Sequence, residues 1–158
     1  MPDPTPDPIP APAPAAPTRI DPRGPRFGAA VTTVVLLAVL ATGSGVLLAA
    51  QAAVFAAGAV GGLRFSPYGW VFRHLVRPRL GPPQELEDER PPRFAQAVGL
   101  GFAVIGAAGY LSGTGWLGIA ASAAALVAAF LNAAFGYCLG CELYLFAVRT
   151  ARPRAGRP

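Results

Sequence analysis

Residues 94–135 read FAQAVGLGFAVIGAAGYLSGTGWLGIAASAAALVAAFLNAAF, and this run decides the class of fold. Its 42 residues hold no charged side chain. One bilayer crossing takes roughly 20 residues, so the run is about twice too long for a single helix. Ser112-Gly113-Thr114-Gly115 near its middle supplies a turn. Further toward the N-terminus, residues 27–63 repeat the pattern, with 37 uncharged residues and a turn at Thr42-Gly43-Ser44-Gly45. The sequence therefore predicts an all-α membrane protein with four transmembrane helices at about 27–42, 46–63, 94–111 and 116–136. Composition points the same way. The chain has 158 residues, 53% hydrophobic and 13% charged, with mean hydropathy +0.45, whereas soluble domains carry about 25% charged residues. A soluble helical core is the competing reading of the same runs.

The formal charge of +5 and a pI near 10.0 raise the question of nucleic acid, but the distribution of charge answers it. All thirteen basic residues are Arg. They flank the apolar blocks at Arg19, Arg23 and Arg26, at Arg64, Arg73, Arg77, Arg79, Arg90 and Arg93, and from Arg149 onward. The two short turns carry none. Four spans place the N-terminus, the central loop and the C-terminus on one side, and the positive-inside rule makes that side cytoplasmic. The partner so implied is the lipid bilayer, in a bacterial cell membrane, with no nucleic acid.

Outside the spans, residues 1–20 form a Pro/Ala-rich tail, expected to be disordered with polyproline II character, and no cleavable signal sequence is legible there. Residues 65–79, preceded by Arg64, interleave Phe65, Trp70, Phe72 and Leu75 with Arg73, Arg77 and Arg79, which fits a short helix lying in the interface. Residues 80–93 read as an acidic, Pro-rich loop holding half of the eight acidic residues. Such a cluster is more often a solvated run than a cation site. Residues 150–158 form a basic, disordered tail. The pattern D-x-R-x-P-R-F occurs twice, at 21–27 and 88–94, each time opening a hairpin. The membrane domain of residues 21–149 is thus expected to be two parallel-repeat hairpins, both entering from the same side.

Few polar residues interrupt the spans. Gln51, Gln96 and Asn132 are amides that should face other helices rather than lipid. The only two cysteines, Cys138 and Cys141, follow the last apolar run as C-x-x-C. This pair has three readings. As a dithiol it attacks a disulfide, persulfide or sulfenate through one sulfur and resolves the product with the other. As a clamp it supplies two of four metal ligands and needs His74, carboxylates or a second copy. As packing it fills space beside helix glycines. If Gly136 breaks the helix, Cys138 opens a new one, where amide dipoles lower a thiol pKa. On an unbroken helix Asn132 falls on the Gly136/Gly140 side with the cysteines opposite; a break removes that separation.

Gln51-Ala52-Ala53-Val54-Phe55, Ser66-Pro67-Tyr68-Gly69, Arg77-Pro78-Arg79-Leu80-Gly81-Pro82-Pro83, Pro92-Arg93-Phe94-Ala95-Gln96 and the run from Asn132 to Glu142 together resemble a bacterial, mostly actinobacterial, membrane family. It is catalogued as domain of unknown function forty-three ninety-five. The resemblance spans about residues 21–149 and assigns no activity. It implies an association with thioredoxin-like and sulfurtransferase proteins, which favours the redox or sulfur reading of Cys138 and Cys141.

Three functions remain open on the sequence. The first is a thiol–disulfide or sulfur-transfer component at the cytoplasmic membrane interface, with Cys138 as nucleophile, Cys141 as resolving thiol and a cytoplasmic thioredoxin-like or sulfurtransferase partner. The second is a non-catalytic anchor or assembly subunit, in a membrane complex or homo-oligomer, presenting Arg26, Arg64, Arg73, Arg77, Arg79 and Arg93 to a partner. The third is a transporter of a small sulfur species with Gln51, Gln96 and Asn132 along its path. One His, no Ser-His-Asp set and no phosphate-binding loop leave no conventional catalytic pattern, and nothing calls for a cofactor.

Overall fold

A computed structural model describes residues 18–151. The expectations for residues 1–17 and 152–158 lie outside the described residues. Two long helical hairpins, each followed by a shorter amphipathic segment, make up nearly all of the described chain.

The first hairpin is α1 (Arg23–Thr42) and α2 (Gly45–Gly61). Helix α1 starts four residues before the expected boundary because the Asp21 carboxylate accepts the Arg23 N–H at 3.0 Å. Gly43 ends it in the left-handed conformation, φ 63°, where glycine carries no Cβ penalty. Ser44 then caps α2, its hydroxyl accepting the Leu47 N–H at 3.2 Å. Helix α2 stops at Gly62, φ 89°, where a Cβ would stand 2.7 Å from the Glu89 carboxylate.

The segment after the hairpin is helical in three steps, α3 (Pro67–Val71), a π-helical turn (Phe72–Val76) and α4 (Arg77–Leu80). Pro78 has no N–H to continue the ladder. The turn before it widens, and the Arg77 N–H reaches back to the Phe72 carbonyl. Strand β1 (Arg19–Ile20) pairs antiparallel with β2 (Glu87–Asp88). The ladder extends through the Glu89 N–H to the Thr18 carbonyl, 3.0 Å. These two strands occupy residues read from the sequence as tail and loop, so the chain is tied down there rather than solvated.

The second hairpin is α5 (Arg90–Leu111) and α6 (Gly115–Phe135), followed by α7 (Leu139–Ala151). Helix α5 also starts early, inside the expected loop of residues 80–93, and for the same reason as α1. The Asp88 carboxylate accepts the Arg90 N–H at 2.9 Å. Both copies of D-x-R-x-P-R-F therefore begin their helix at the first Arg. Both also end on an aromatic pair with the amphipathic segment that follows their own hairpin. Phe27 meets Phe72 at 5.9 Å and Phe94 meets Tyr144 at 5.8 Å between ring centroids.

Helix α2 packs mainly on α5 and α1 mainly on α6, so most contacts of the first hairpin are with the second. Leu36, Val39, Leu48, Phe55, Ala103, Ala107 and Ala125 form the buried core. Close approach comes from glycine. At Gly109 a Cβ would lie 2.7 Å from the Gly118 backbone nitrogen. The outer faces are apolar as well, with Val34, Leu37, Val104, Ile105, Ile119 and Val127 exposed. A helix apolar on every side is one made for a core or a membrane. Among the described residues three helices, α1, α5 and α6, are long and apolar enough to cross a membrane. Helix α2 is apolar but shorter at 17 residues, about 26 Å at 1.5 Å per residue.

Candidate functional site: the Cys138–Cys141 turn and two cavities

Helix α6 ends at Gly136, φ 70°. Its last turn closes with the Gly136 N–H on the Asn132 carbonyl (3.0 Å) and the Tyr137 N–H on the Leu131 carbonyl (3.3 Å). Two bonds of this pattern satisfy carbonyls that the helix end would leave free. The chain turns and restarts as α7, with Cys138 immediately before it. The Glu142 N–H bonds the Cys138 carbonyl at 3.0 Å, and the Cys141 N–H donates to the Cys138 sulfur at 3.3 Å. Cys138 and Cys141 are disulfide-bonded, with Cα atoms 5.2 Å apart. Gly140 fixes how near α7 comes to α5, since a Cβ there would fall 2.6 Å from the Ala95 Cα.

Cys138 also lines a cavity of about 110 Å³ between the long helices. The polar groups on its wall are Asn132, Gln96 and Thr32, and the remainder is mostly small and apolar, such as Ala29, Ala125 and Gly99. The break at Gly136 thus brings Asn132 and Cys138 to one space, although a continuous helix would have set them apart. Neither the Asn132 nor the Gln96 amide has a hydrogen-bond partner among the described residues. A cavity of this size holds several waters or one small polar molecule.

Gln51 is placed elsewhere. It is buried between Tyr68, whose hydroxyl donates to its carbonyl oxygen at 2.6 Å, and Thr32, whose hydroxyl accepts from its amide nitrogen at 3.4 Å. Gln51 does not itself line the cavity that Gln96 and Asn132 share, but its partner Thr32 does. Burial pushes the Tyr68 phenol up from its ordinary pKa, which keeps it a donor.

A second cavity, about 340 Å³, lies at the strand end of the molecule and is lined by Arg19, Arg64, Arg73, Arg77, Tyr68 and Glu89 among others. Gln96 lines both cavities. The candidate arginines divide by what they bind. Arg73 donates to the carbonyls of Leu63 (3.4 Å) and Arg64 (2.5 Å). Arg93 donates to those of Ala59 and Val60, each at 3.0 Å, and Arg79 to that of Leu75. Cations at a helix C-terminus satisfy bare carbonyls and complement the dipole. Arg64 sits 4.7 Å over the Phe65 ring. The Arg26 guanidinium lies beside Gly136, its central carbon 3.6 Å from where a Cβ would be.

His74 is exposed, stacked on Trp70 at 4.6 Å with Nδ1 2.9 Å from the Trp70 carbonyl oxygen. No group of three His, Cys, Asp or Glu side chains is placed to hold a metal among the described residues. The sequence did not single out Tyr68, Thr32 or Glu89. Glu89 is 8% exposed and accepts the Leu63 N–H at 2.6 Å. Nothing in the acidic run distinguishes it from Glu85 or Glu87 beyond its place in the repeated motif.

The site belongs to a predominantly helical protein with membrane-length apolar helices and a C-x-x-C cysteine pair at a helix start. The chain matches the family described as Domain of unknown function (DUF4395) over residues 20–149 and belongs to it. No curated protein and no solved structure matches.

Proposed function

We propose that this chain is a multi-pass membrane component of thiol–disulfide exchange in which Cys138 and Cys141 are the working couple. The observation that carries this reading is the double placement of Cys138. Its sulfur accepts the Cys141 N–H at the start of α7, and the same residue lines the cavity with Asn132 and Gln96. On reduction, the first turn of α7 stabilises a thiolate at Cys138 and makes it the better nucleophile. A partner dithiol attacks the disulfide, passes through a mixed disulfide, and leaves as a disulfide itself. Two electrons and two protons then reside on Cys138 and Cys141.

Loop length argues against a staple. Closing so short a loop restricts the unfolded chain by only about 2 kcal/mol, against about 4.7 for a 100-residue loop. Helix α7 already has Gly140 on Ala95 and Tyr144 on Phe94 to hold it. In our reading α1, α2, α5 and α6 all cross the membrane, and both termini and the cysteine turn face the cytoplasm. A disulfide in that compartment is one that turns over. The anchor reading is narrowed, because Arg73, Arg79 and Arg93 direct guanidinium groups to the chain's own carbonyls, which leaves Arg26, Arg64 and Arg77 of its proposed face.

The test is partner trapping in the cell. Cys141→Ser leaves Cys138 able to attack but unable to be resolved, so it should accumulate a mixed disulfide with a cytoplasmic thioredoxin-like protein. Cys138→Ser should not. A purified couple titrating in the range of roughly −220 to −320 mV agrees with this assignment. Equal trapping by both variants, or thiols inert to membrane-permeant reagents, refutes it.

A further inference from the structure

We propose that the arginine-lined cavity is a binding site for a phosphate group, brought to it on the headgroup of an anionic lipid. The cavity, about 340 Å³, is bounded by β1, the start of α1, the segment from Leu63 to Arg77 and the start of α5. Four guanidinium-bearing residues line it, Arg19, Arg64, Arg73 and Arg77, together with two carboxylates, Asp21 and Glu89.

The two carboxylates offset only part of the charge of the four arginines. Asp21 is held by Arg23 through both oxygens, Oδ2 to Nη2 at 2.8 Å and Oδ1 to Nε at 3.0 Å. Arg77 is a further cation near Asp21, yet those two oxygens are already bonded. Glu89 accepts the Leu63 N–H at 2.6 Å. Arg19, Arg64 and Arg77 make no side-chain hydrogen bond or ion pair among the described residues. Arg73 is braced by the carbonyls of Leu63 and Arg64 and keeps donors to spare from its five. Four cations line one concavity with two carboxylates, one of them already paired with Arg23, and the positive charge left over is matched by a group with several anionic oxygens. The guanidinium fork fits phosphate in this way.

The other walls point to the source. Ile20, Leu63, Phe72 and Leu86 line the same cavity, so its occupant is amphiphilic rather than purely ionic. The cavity lies at the end where basic residues flank the apolar helices, the level at which headgroups lie in the membrane reading above. The site is independent of the cysteine chemistry, and only its lipid source rests on that membrane reading.

The experiment uses the full chain purified in a neutral detergent, followed by thermal unfolding and native mass spectrometry. The probes are phosphatidylglycerol, phosphatidylcholine and, separately, inorganic phosphate against chloride at equal ionic strength. Phosphatidylglycerol should raise Tm and remain bound, while phosphatidylcholine should do neither. Arg64→Gln and Arg77→Gln should each weaken retention about fivefold, and Arg149→Gln on α7 should leave it unchanged. Should a Gln variant fail to fold, Arg64→Lys and Arg19→Gln replace it, the first retaining more binding than the second. If inorganic phosphate alone gives the same Arg64- and Arg77-dependent shift, the phosphate site stands and lipid is overturned as its source. If neither probe gives a shift that depends on these arginines, or if Arg149→Gln loses as much, the site itself is overturned.

Discussion

Removing one oxygen from Tyr68 should destabilise the protein more than removing the whole amide it serves. The Tyr68 hydroxyl donates to Gln51 at 2.6 Å, and Gln51 is 2% exposed. Tyr68→Phe strands the Gln51 carbonyl oxygen in a place water does not reach. An orphaned buried acceptor costs about 1–3 kcal/mol, whereas hydrogen bonds between membrane helices average about 0.6 and reach about 1.7. We expect about 1–2 kcal/mol. Gln51→Leu leaves the phenol facing the arginine-lined cavity, where water can serve it, and should cost less. The double variant strands neither the Gln51 oxygen nor the phenol, leaves only the weakly bonded Thr32 hydroxyl without its partner, and should cost less than the sum of the singles by at least about 0.5 kcal/mol. Thr32→Val should cost under about 0.5 kcal/mol, because its bond to Gln51 is long at 3.4 Å. The assay is reversible unfolding in mixed micelles, read as a double-mutant cycle. The sign with pH follows from the raised phenol pKa. The contribution is full below the unfolded value of about 10 and is lost as pH rises through the folded one, and Tyr68→Phe should lack that alkaline loss. Additive single variants would refute the reasoning.

Two further tests address packing and topology. Gly109→Ala puts a methyl group against the Gly118 backbone and should cost about 1–3 kcal/mol. Gly101→Ala on the same helix meets nothing within 4 Å and should be neutral or stabilise by up to about 1 kcal/mol. Thermal unfolding of the pair separates close packing from helix propensity. For orientation, Ser44→Cys and Ser112→Cys should react with an impermeant maleimide on intact cells, and Arg79→Cys only after lysis. The reverse pattern would invert the topology.

The long helices were legible because uncharged runs and the Gly-rich turns at residues 42–45 and 112–115 are local features. Helices α1 and α5 begin about four residues before the spans expected from the apolar runs, and the Asp21 and Asp88 carboxylates that accept the first N–H of each lie outside those runs. Periodicity does not register such a contact. The spacing of Cys138 and Cys141 was plain, but their neighbours were not. Whether Asn132 shares a space with Cys138 depends on one backbone angle at Gly136. The arginines read as a charge pattern, and the pattern says nothing of which carbonyls Arg73 and Arg93 reach. Tyr68 and Gln51 stand 17 positions apart, and no local signal joins them.

The interleaving of the two hairpins has a consequence for how the protein is made. Helices α1 and α2 touch each other far less than they touch α6 and α5. When the first hairpin has been synthesised, the partners for most of its buried surface do not yet exist. Its small residues and Gln51 must wait, unpacked, until about 70 more residues have emerged. Assembly is therefore a single late event rather than two early ones. Neither half should persist as a stable product, and a ribosome stalled after Gly81 would leave a fragment fit only for degradation.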